Sequence, residues 1–262
     1  MDLFFELHRD LPREGPGEVA STRRAFALMS GLPARLRILD IGCGPGMQTL
    51  ELARICDSSI LATDTYQPYL DALSRRAEKE GVAERITISN QSMFALDFEP
   101  GSFEAIWSEG AIYIIGFEKG LREWQPWLKA GGYLAVTELS WLKADAPAEI
   151  EGYWHENYQG MQSLEDNLAS VEKSGYRESG YFVLPESAWW EDYYTPLEER
   201  IGMLGEEYRG NGEAQAFLHE SQREIDLYRQ YSDWYGYVFF VMQKLPANDL
   251  KATYINHHRW LD

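Results

Sequence analysis

The chain has 262 residues, 45% of them hydrophobic and 14% aromatic, which is enough for a sizeable core and excludes general disorder. Its 24 Lys and Arg against 42 Asp and Glu give a net charge of −18, a balance that repels nucleic-acid backbones and anionic membrane surfaces. Two cysteines, Cys43 and Cys56, cannot make a disulfide framework, and five scattered histidines without paired cysteines argue against a structural metal, so none is expected. The segment Met1–Asp10 holds acids and a histidine without a long apolar run, so it does not read as a secretion signal. No run of ~18 apolar residues is present to span a bilayer. The expectation is a cytoplasmic protein with no nucleic-acid or membrane partner.

In chain order, Arg37–Ile41 reads as a short apolar strand that runs into glycines, and Thr49–Cys56 repeats apolar residues at helical spacing. A second strand, Ser59–Thr63, precedes a helix over Gln67–Glu80 that stops at Gly81. Ile86–Ser89, Phe103–Trp107 and Tyr133–Thr137 are further strands, separated by helical stretches such as Lys119–Lys129. Strands alternating with helices predict an α/β fold with a parallel sheet covered on both faces. Ser140–Gly160 is too aromatic for a plain surface loop and reads as a lid with a short helix. Ser163–Lys173 reads as a helix and Tyr181–Leu184 as a strand. Glu186–Ser232 is helical and acidic with a break at Gly210-Asn211-Gly212, Tyr235–Val241 is a last buried strand, and the tail from Pro246 has no pattern. These divide a single domain into N-terminal lid helices (1–33), a core (34–184 and 233–245), a helical insert or cap (185–232) and a tail (246–262).

The strongest signal is the run Ile38-Leu39-Asp40-Ile41-Gly42-Cys43-Gly44-Pro45-Gly46. Glycines at alternate positions after a strand let the backbone turn tightly and approach a ligand at a helix N-terminus. A dinucleotide-binding loop would need its third glycine where Met47 stands, which weighs against a nicotinamide-dependent oxidoreductase. The run resembles the motif of class I S-adenosylmethionine-dependent methyltransferases: acid, any residue, then three glycines at alternate positions. The resemblance covers roughly 35–173 and implies a seven-stranded Rossmann-like sheet, mostly parallel with an antiparallel edge strand, with the helical insert between the last two strands. It implies S-adenosylmethionine as cofactor and S-adenosylhomocysteine as product. Asp40 would support the methionine end, Gly42, Gly44 and Gly46 would shape the loop, and Gln48 and Ser108 would join the cofactor site. Asp64, ending the second strand, would accept the ribose hydroxyls, with a helix cap as its plainer reading. The family often has an acid after the third strand. Here Ser92 stands at that place, and with Met93 it would frame adenine.

Methyl transfer is an in-line displacement, so alignment, exclusion of water and proton removal carry the catalysis. Glu109 and Tyr113, after the fourth strand, are the first candidates for contacting substrate or accepting a proton, and Glu109 also for the cofactor site. A helix charge and a packing aromatic are their plainer readings. His155 is a candidate base, with an exposed helix histidine as the alternative. The Ser-Glu-Gly-Ala run at 108–111 lacks the Pro-Pro-aromatic pattern of amine-directed base and glutamine methyltransferases. It looks like a bacterial and archaeal set acting on small molecules. Arg13 and Gly15–Gly17 would help close the site. Trp141, Tyr153, Trp154, Tyr158, Trp189, Trp190, Tyr193 and Tyr194 would line an acidic pocket for a flat apolar acceptor or an amine, or else pack a lid or a homodimer contact. Cys43 reads as a small residue packed under the loop. The expected function is methyl transfer to a small molecule, the alternatives being a non-catalytic cofactor-binding protein or a protein methyltransferase.

Overall fold

The computed structural model describes residues 3–246. A short helix α1 (Leu3–Leu7) and α2 (Val19–Ala27) precede strand β1 (Arg35–Ile41), helix α3 (Met47–Ile55) and β2 (Asp57–Asp64). Next come α4 (Gln67–Glu80), β3 (Ile86–Asn90), β4 (Phe103–Ser108), α5 (Phe117–Trp124) and β5 (Leu128–Trp141). The second half holds α6 (Ala148–Asn157), a two-residue strand β6 (Gln162–Ser163), α7 (Leu164–Lys173), β7 (Tyr176–Val183), α8 (Ser187–Trp189), α9 (Thr195–Glu207), α10 (Gly212–Tyr231) and β8 (Tyr235–Lys244).

The strands form one sheet in the order β3-β2-β1-β4-β5-β8-β7, with β6 paired to the end of β5. The pairs from β3 to β5 are parallel, and β8 runs antiparallel between β5 and β7. The antiparallel strand therefore lies one place inside that edge. Strand β8 enters it after the long helical excursion α8–α10, although β7 and β8 are adjacent antiparallel strands that a short hairpin could join, so the excursion is an addition to the sheet. No helix among the described residues is long and apolar enough to cross a membrane.

The inner strands β1, β4, β5 and β8 are apolar on both faces over most of their length, as a covered sheet requires, whereas β3 and β7 at the outside are more polar. Along β1, Ile38 packs with Leu52, Ala53, Ala105 and Trp107 on one face, while Leu39 and Ile41 pack with Leu121, Trp124, Leu134 and Val136 on the other. A separate apolar cluster joins Leu7 and Leu11 to Ile150, Tyr153, Trp189, Tyr193, Leu218 and Tyr228 over the end of β5. Local chemistry sets the element ends. Gly81 stops α4 in the left-handed conformation at φ 70, Ser163 Oγ accepts the Asp166 N–H to start α7, and Asn211 Oδ1 accepts the Ala214 N–H to start α10.

Three elements differ from the sequence reading by five residues at one end. The strand read as Tyr181–Leu184 is β7, which starts at Tyr176 because antiparallel pairing with β8 extends it. The helix expected over Lys119–Lys129 ends at Trp124, because Pro126 interrupts it and the chain enters β5 at Leu128. Strand β5 begins five residues before Tyr133, through a bulge in which the register shifts opposite Phe103 and Ala105 and Gly131 takes φ 75. The expected tail, beyond Pro246, lies outside the described residues.

Candidate functional site

Strand order reverses direction between β1 and β4, and in open α/β sheets ligands bind beyond the strand C-termini at that point. The loops after β1 and β4 meet there. Gly42, Gly44 and Gly46 all take positive φ (70, 53 and 87). The Gly42 and Cys43 N–H groups donate to Thr63 O at 2.8 and 3.0 Å, which ties the loop to β2. A Cβ on Gly42 would stand 2.5 Å from Ala111 Cβ, so the two loops approach as closely as glycine permits. Gly44 N–H donates to Asp64 Oδ2 at 3.0 Å and Tyr66 N–H to Asp64 Oδ1 at 2.9 Å, so Asp64 braces the loops after β1 and β2 against each other.

Around this junction is a cavity of about 370 Å3. Gly42, Gly44, Gln48, Asp64, Ser92, Met93, Glu109 and Tyr113 all line it. Gln48 Nε2 donates to Cys43 O at 3.1 Å and Ser92 Oγ accepts from Phe94 N–H at 3.3 Å, which holds both side chains at the wall. Three candidate residues stand behind the wall. Asp40 is fully buried beneath the loop, where Oδ2 accepts from Thr49 Oγ1 at 2.5 Å and Oδ1 has no partner; burial pushes its carboxyl up to about 7. Ser108 Oγ donates to Ile41 O at 2.9 Å, a cross-link between strand ends. Gly46 starts α3 under Leu73, whose Cδ1 would clash with a Cβ there. Their work is to shape the loop. Cys43 is buried, and burial raises its thiol well above the ordinary value, so it carries no reactive thiolate.

The N-terminal segment roofs the cavity. Arg13 Nη2 donates to Glu109 Oε2 at 2.5 Å with both side chains buried, while Thr22 Oγ1 and Trp107 Nε1 donate to Glu109 Oε1 at 2.7 and 2.8 Å. A carboxylate with three such donors anchors the roof to β4 and is poorly placed to take a substrate proton. Beside it, Glu14 Oε2 accepts from Tyr69 OH at 2.5 Å and lies 2.9 Å from His8 Nδ1. Two buried atoms of opposite charge are left without partners, Arg13 Nη1 and Glu14 Oε1, on side chains that line the cavity. A buried polar atom without a partner marks a place for a ligand or water.

A second cavity of about 360 Å3 adjoins the first and shares Phe4, Glu14, Gly15, Gly110 and Tyr113 with it. Tyr153, Trp154, Tyr158, Trp189 and Tyr193 line it, as do Tyr237 of β8 and Glu224 of α10. Tyr113 is 43% exposed because it faces both cavities. Desolvation, then Glu224 and Glu138, raise its phenol above the ordinary value, which disfavours its ionised form. Behind Tyr158, Glu138 Oε1 accepts from its hydroxyl at 2.5 Å, Oε2 has no partner, and burial pushes the carboxyl up to about 8. His155 is a correction to the sequence reading. It lies exposed on the outward side of α6 and lines neither cavity, because its neighbours Tyr153 and Trp154 take the inward positions.

The sequence reading missed Glu14, Glu138 and Glu224. Two of these had a signal: Glu138 sits in the apolar run of β5, and Glu224 falls on the helical stripe of Phe217, Ser221 and Tyr228.

Comparison with known proteins places this geometry among relatives. Residues 38–132 match a family model described as a methyltransferase domain. The chain is 26% identical over 129 residues to sterol 24-C-methyltransferase erg6 of Aspergillus fumigatus, covering 49% of this chain and 34% of that protein. It is 26% identical over 144 residues to methyltransferase GfsG of Streptomyces halstedii, covering 53% and 52%. The matches therefore span a third to a half of those relatives. A SAM-dependent methyltransferase from Geobacter sulfurreducens, solved with S-adenosylhomocysteine, superposes with TM-score 0.78 at 19% identity over 92% of this chain and 97% of that one.

Proposed function

We propose that this chain, which has the class I S-adenosylmethionine-dependent methyltransferase fold and carries a methyltransferase domain across residues 38–132, binds S-adenosylmethionine in the first cavity and methylates a small molecule held in the second. The observation that carries the reading is the donor set of the first cavity. A close-approach glycine loop, a carboxylate at the end of β2, and unpartnered Arg13 Nη1 and Glu14 Oε1 on the lining side chains suit a nucleoside that bears a zwitterionic amino acid. The Geobacter sulfurreducens neighbour, crystallised with S-adenosylhomocysteine, supports the same ligand.

Bound there, S-adenosylmethionine supplies an electrophilic methyl on a sulfonium. The chain's own residues do the rest. Asp64 accepts from the ribose hydroxyls through the lone pairs its two backbone donors leave free, and Ser92 and Met93 frame the adenine. Arg13 takes the amino-acid carboxylate and Glu14 the ammonium, while Asp40, Gly46 and Ser108 hold the loop in shape behind them. The roof of Phe4 and Arg13–Gly15 excludes water, and Gly110 and Tyr113 stand where the cavities meet and orient the acceptor. A walled chamber of this size favours a small acceptor over a polypeptide side chain, and its being open supports catalysis over mere cofactor binding.

Calorimetric titration with S-adenosylmethionine, S-adenosylhomocysteine and NAD tests the reading. Micromolar binding of the first two without the third is expected. Binding of NAD alone, or of none, would overturn it.

A further inference from the structure

The second cavity carries more information than the presence of an acceptor site. Its walls come from α6 (Tyr153), the π-helical segment Trp190–Tyr194 between α8 and α9 (Tyr193), β8 (Tyr237) and α10 (Glu224), so four separate elements present an aromatic ring or a carboxylate to one space. Two further carboxylates, Glu14 and Glu220, line it, and its one basic side chain, His8, is engaged with Glu14 at 2.9 Å. Arg223 packs over the Tyr153 ring at 5.3 Å and pairs with Glu220 at 3.3 Å, but it does not line the cavity. Among the described residues, Glu224 has a single hydrogen-bond partner, Tyr194 OH at 3.0 Å, and the hydroxyls of Tyr153, Tyr193 and Tyr237 have none.

An anionic acceptor would meet carboxylates with no cation to offset them. A flat hydrocarbon would seal those hydroxyls and Glu224 away from water unpaired, a costly arrangement. An alkylammonium satisfies both demands, since aromatic faces attract it and the carboxylate neutralises it.

We propose that the second cavity is an acceptor chamber for a small aliphatic amine, held by the rings of Tyr153, Tyr193 and Tyr237 and by the carboxylate of Glu224, an assignment that rests on the methyltransferase reading above. An entering ammonium first gives one N–H proton to the Glu224 carboxylate, which exposes the nitrogen lone pair. Burial raises the Glu224 carboxyl and so favours its holding that proton. The lone pair then forms the new N–C bond as the C–S bond breaks with its electron pair going to sulfur, and the positive charge passes from sulfur to nitrogen. The methylated ammonium is the cation that the same rings hold.

The test compares choline with 3,3-dimethyl-1-butanol, which have the same shape and differ in the charge of the central atom. Both are titrated against the full chain saturated with S-adenosylhomocysteine, with calorimetry as the readout. Choline should bind about tenfold more tightly than the alcohol, and the preference should fall below about threefold in Glu224→Gln, with Tyr193→Leu as a second variant should the first fold poorly. Equal or tighter binding of the alcohol, binding of neither, or an unchanged preference in both variants would overturn the amine assignment. Failure to take up S-adenosylhomocysteine in the same samples would instead remove the reading beneath it.

Discussion

Glu138→Gln isolates one buried acid and makes its contribution measurable. Glu138 lies within β5, 1% exposed, with Oε1 accepting from Tyr158 OH and Oε2 unpartnered. Burial pushes its carboxyl up to about 8 from the usual 4.5. A folded value above the unfolded one means that the native state binds more protons between those two pH values, so stability is greatest below about pH 4.5 and falls as pH rises toward 8. The slope approaches about 1.4 kcal/mol per pH step, and from pH 6 to pH 9 the loss from this group comes to about 2 to 3 kcal/mol. A glutamine in its place would keep the Tyr158 hydrogen bond and cannot ionise, so the substitution removes that slope. Urea denaturation of both proteins at pH 6, 7, 8 and 9 checks the expectation, with equal m-values required for the comparison. The stability of Glu138→Gln relative to the parent should rise by about 2 to 3 kcal/mol across the range, whatever the offset at pH 6. Parallel curves, with the difference constant to about 0.5 kcal/mol, would show that the carboxyl is hydrated or already ionised and would refute the reasoning.

Asp64→Ala removes the acceptor of two backbone N–H groups together with the ribose carboxylate; S-adenosylhomocysteine affinity should fall at least about tenfold in calorimetry, with an unchanged circular dichroism spectrum. An unaltered affinity would sink the ribose assignment. Gly42→Ala forces a Cβ to 2.5 Å from Ala111 at φ 70, so about 1 to 3 kcal/mol of stability should be lost along with donor binding. Gly210→Ala, at φ 93 with open space around it, should cost about 1 kcal/mol and leave binding intact. Arg13→Met strands the buried Glu109 carboxylate and should destabilise by about 3 kcal/mol, with faster proteolysis of the segment before α2. Adding Glu109→Gln should restore part of that loss.

The elements legible in the sequence are those whose causes are local. Helix α4 is legible at its observed limits because Pro68 sits in its first turn and Gly81 takes the left-handed cap, both chemical stops written in the sequence. The glycine loop is legible for the same reason. Strand β5 reads short, because Lys129-Ala130-Gly131-Gly132 has turn chemistry and only pairing with β4 through a bulge makes its flank extended. The sites divide along the same line. Asp64 lies 20 residues from Gly44, in the loop it braces, whereas Glu109 is defined by Arg13, 96 residues away, and no spacing rule reaches that far. His155 and Tyr153 are two positions apart on α6, and helical phase alone does not say which of them faces the sheet end.

The buried acids of the site share one physical condition. Asp40, Glu138, Glu14 and Glu224 lie on or behind the walls of the two cavities, and burial raises the carboxyl of each. Their desolvation opposes ionisation, and with carboxyls pushed up to about 7 and about 8, Asp40 and Glu138 hold protons near neutral pH that the unfolded chain would release. A cation entering either cavity reverses the balance, because nearby positive charge favours the ionised carboxyl and replaces part of the lost hydration. A neutral occupant of the same shape gives no such return. The burial that makes the protein sensitive to rising pH therefore also favours positive charge in its cavities. On the proposed function, the charged sulfonium donor gains from these acids while its uncharged thioether product does not, and that difference favours loading the donor and releasing the product.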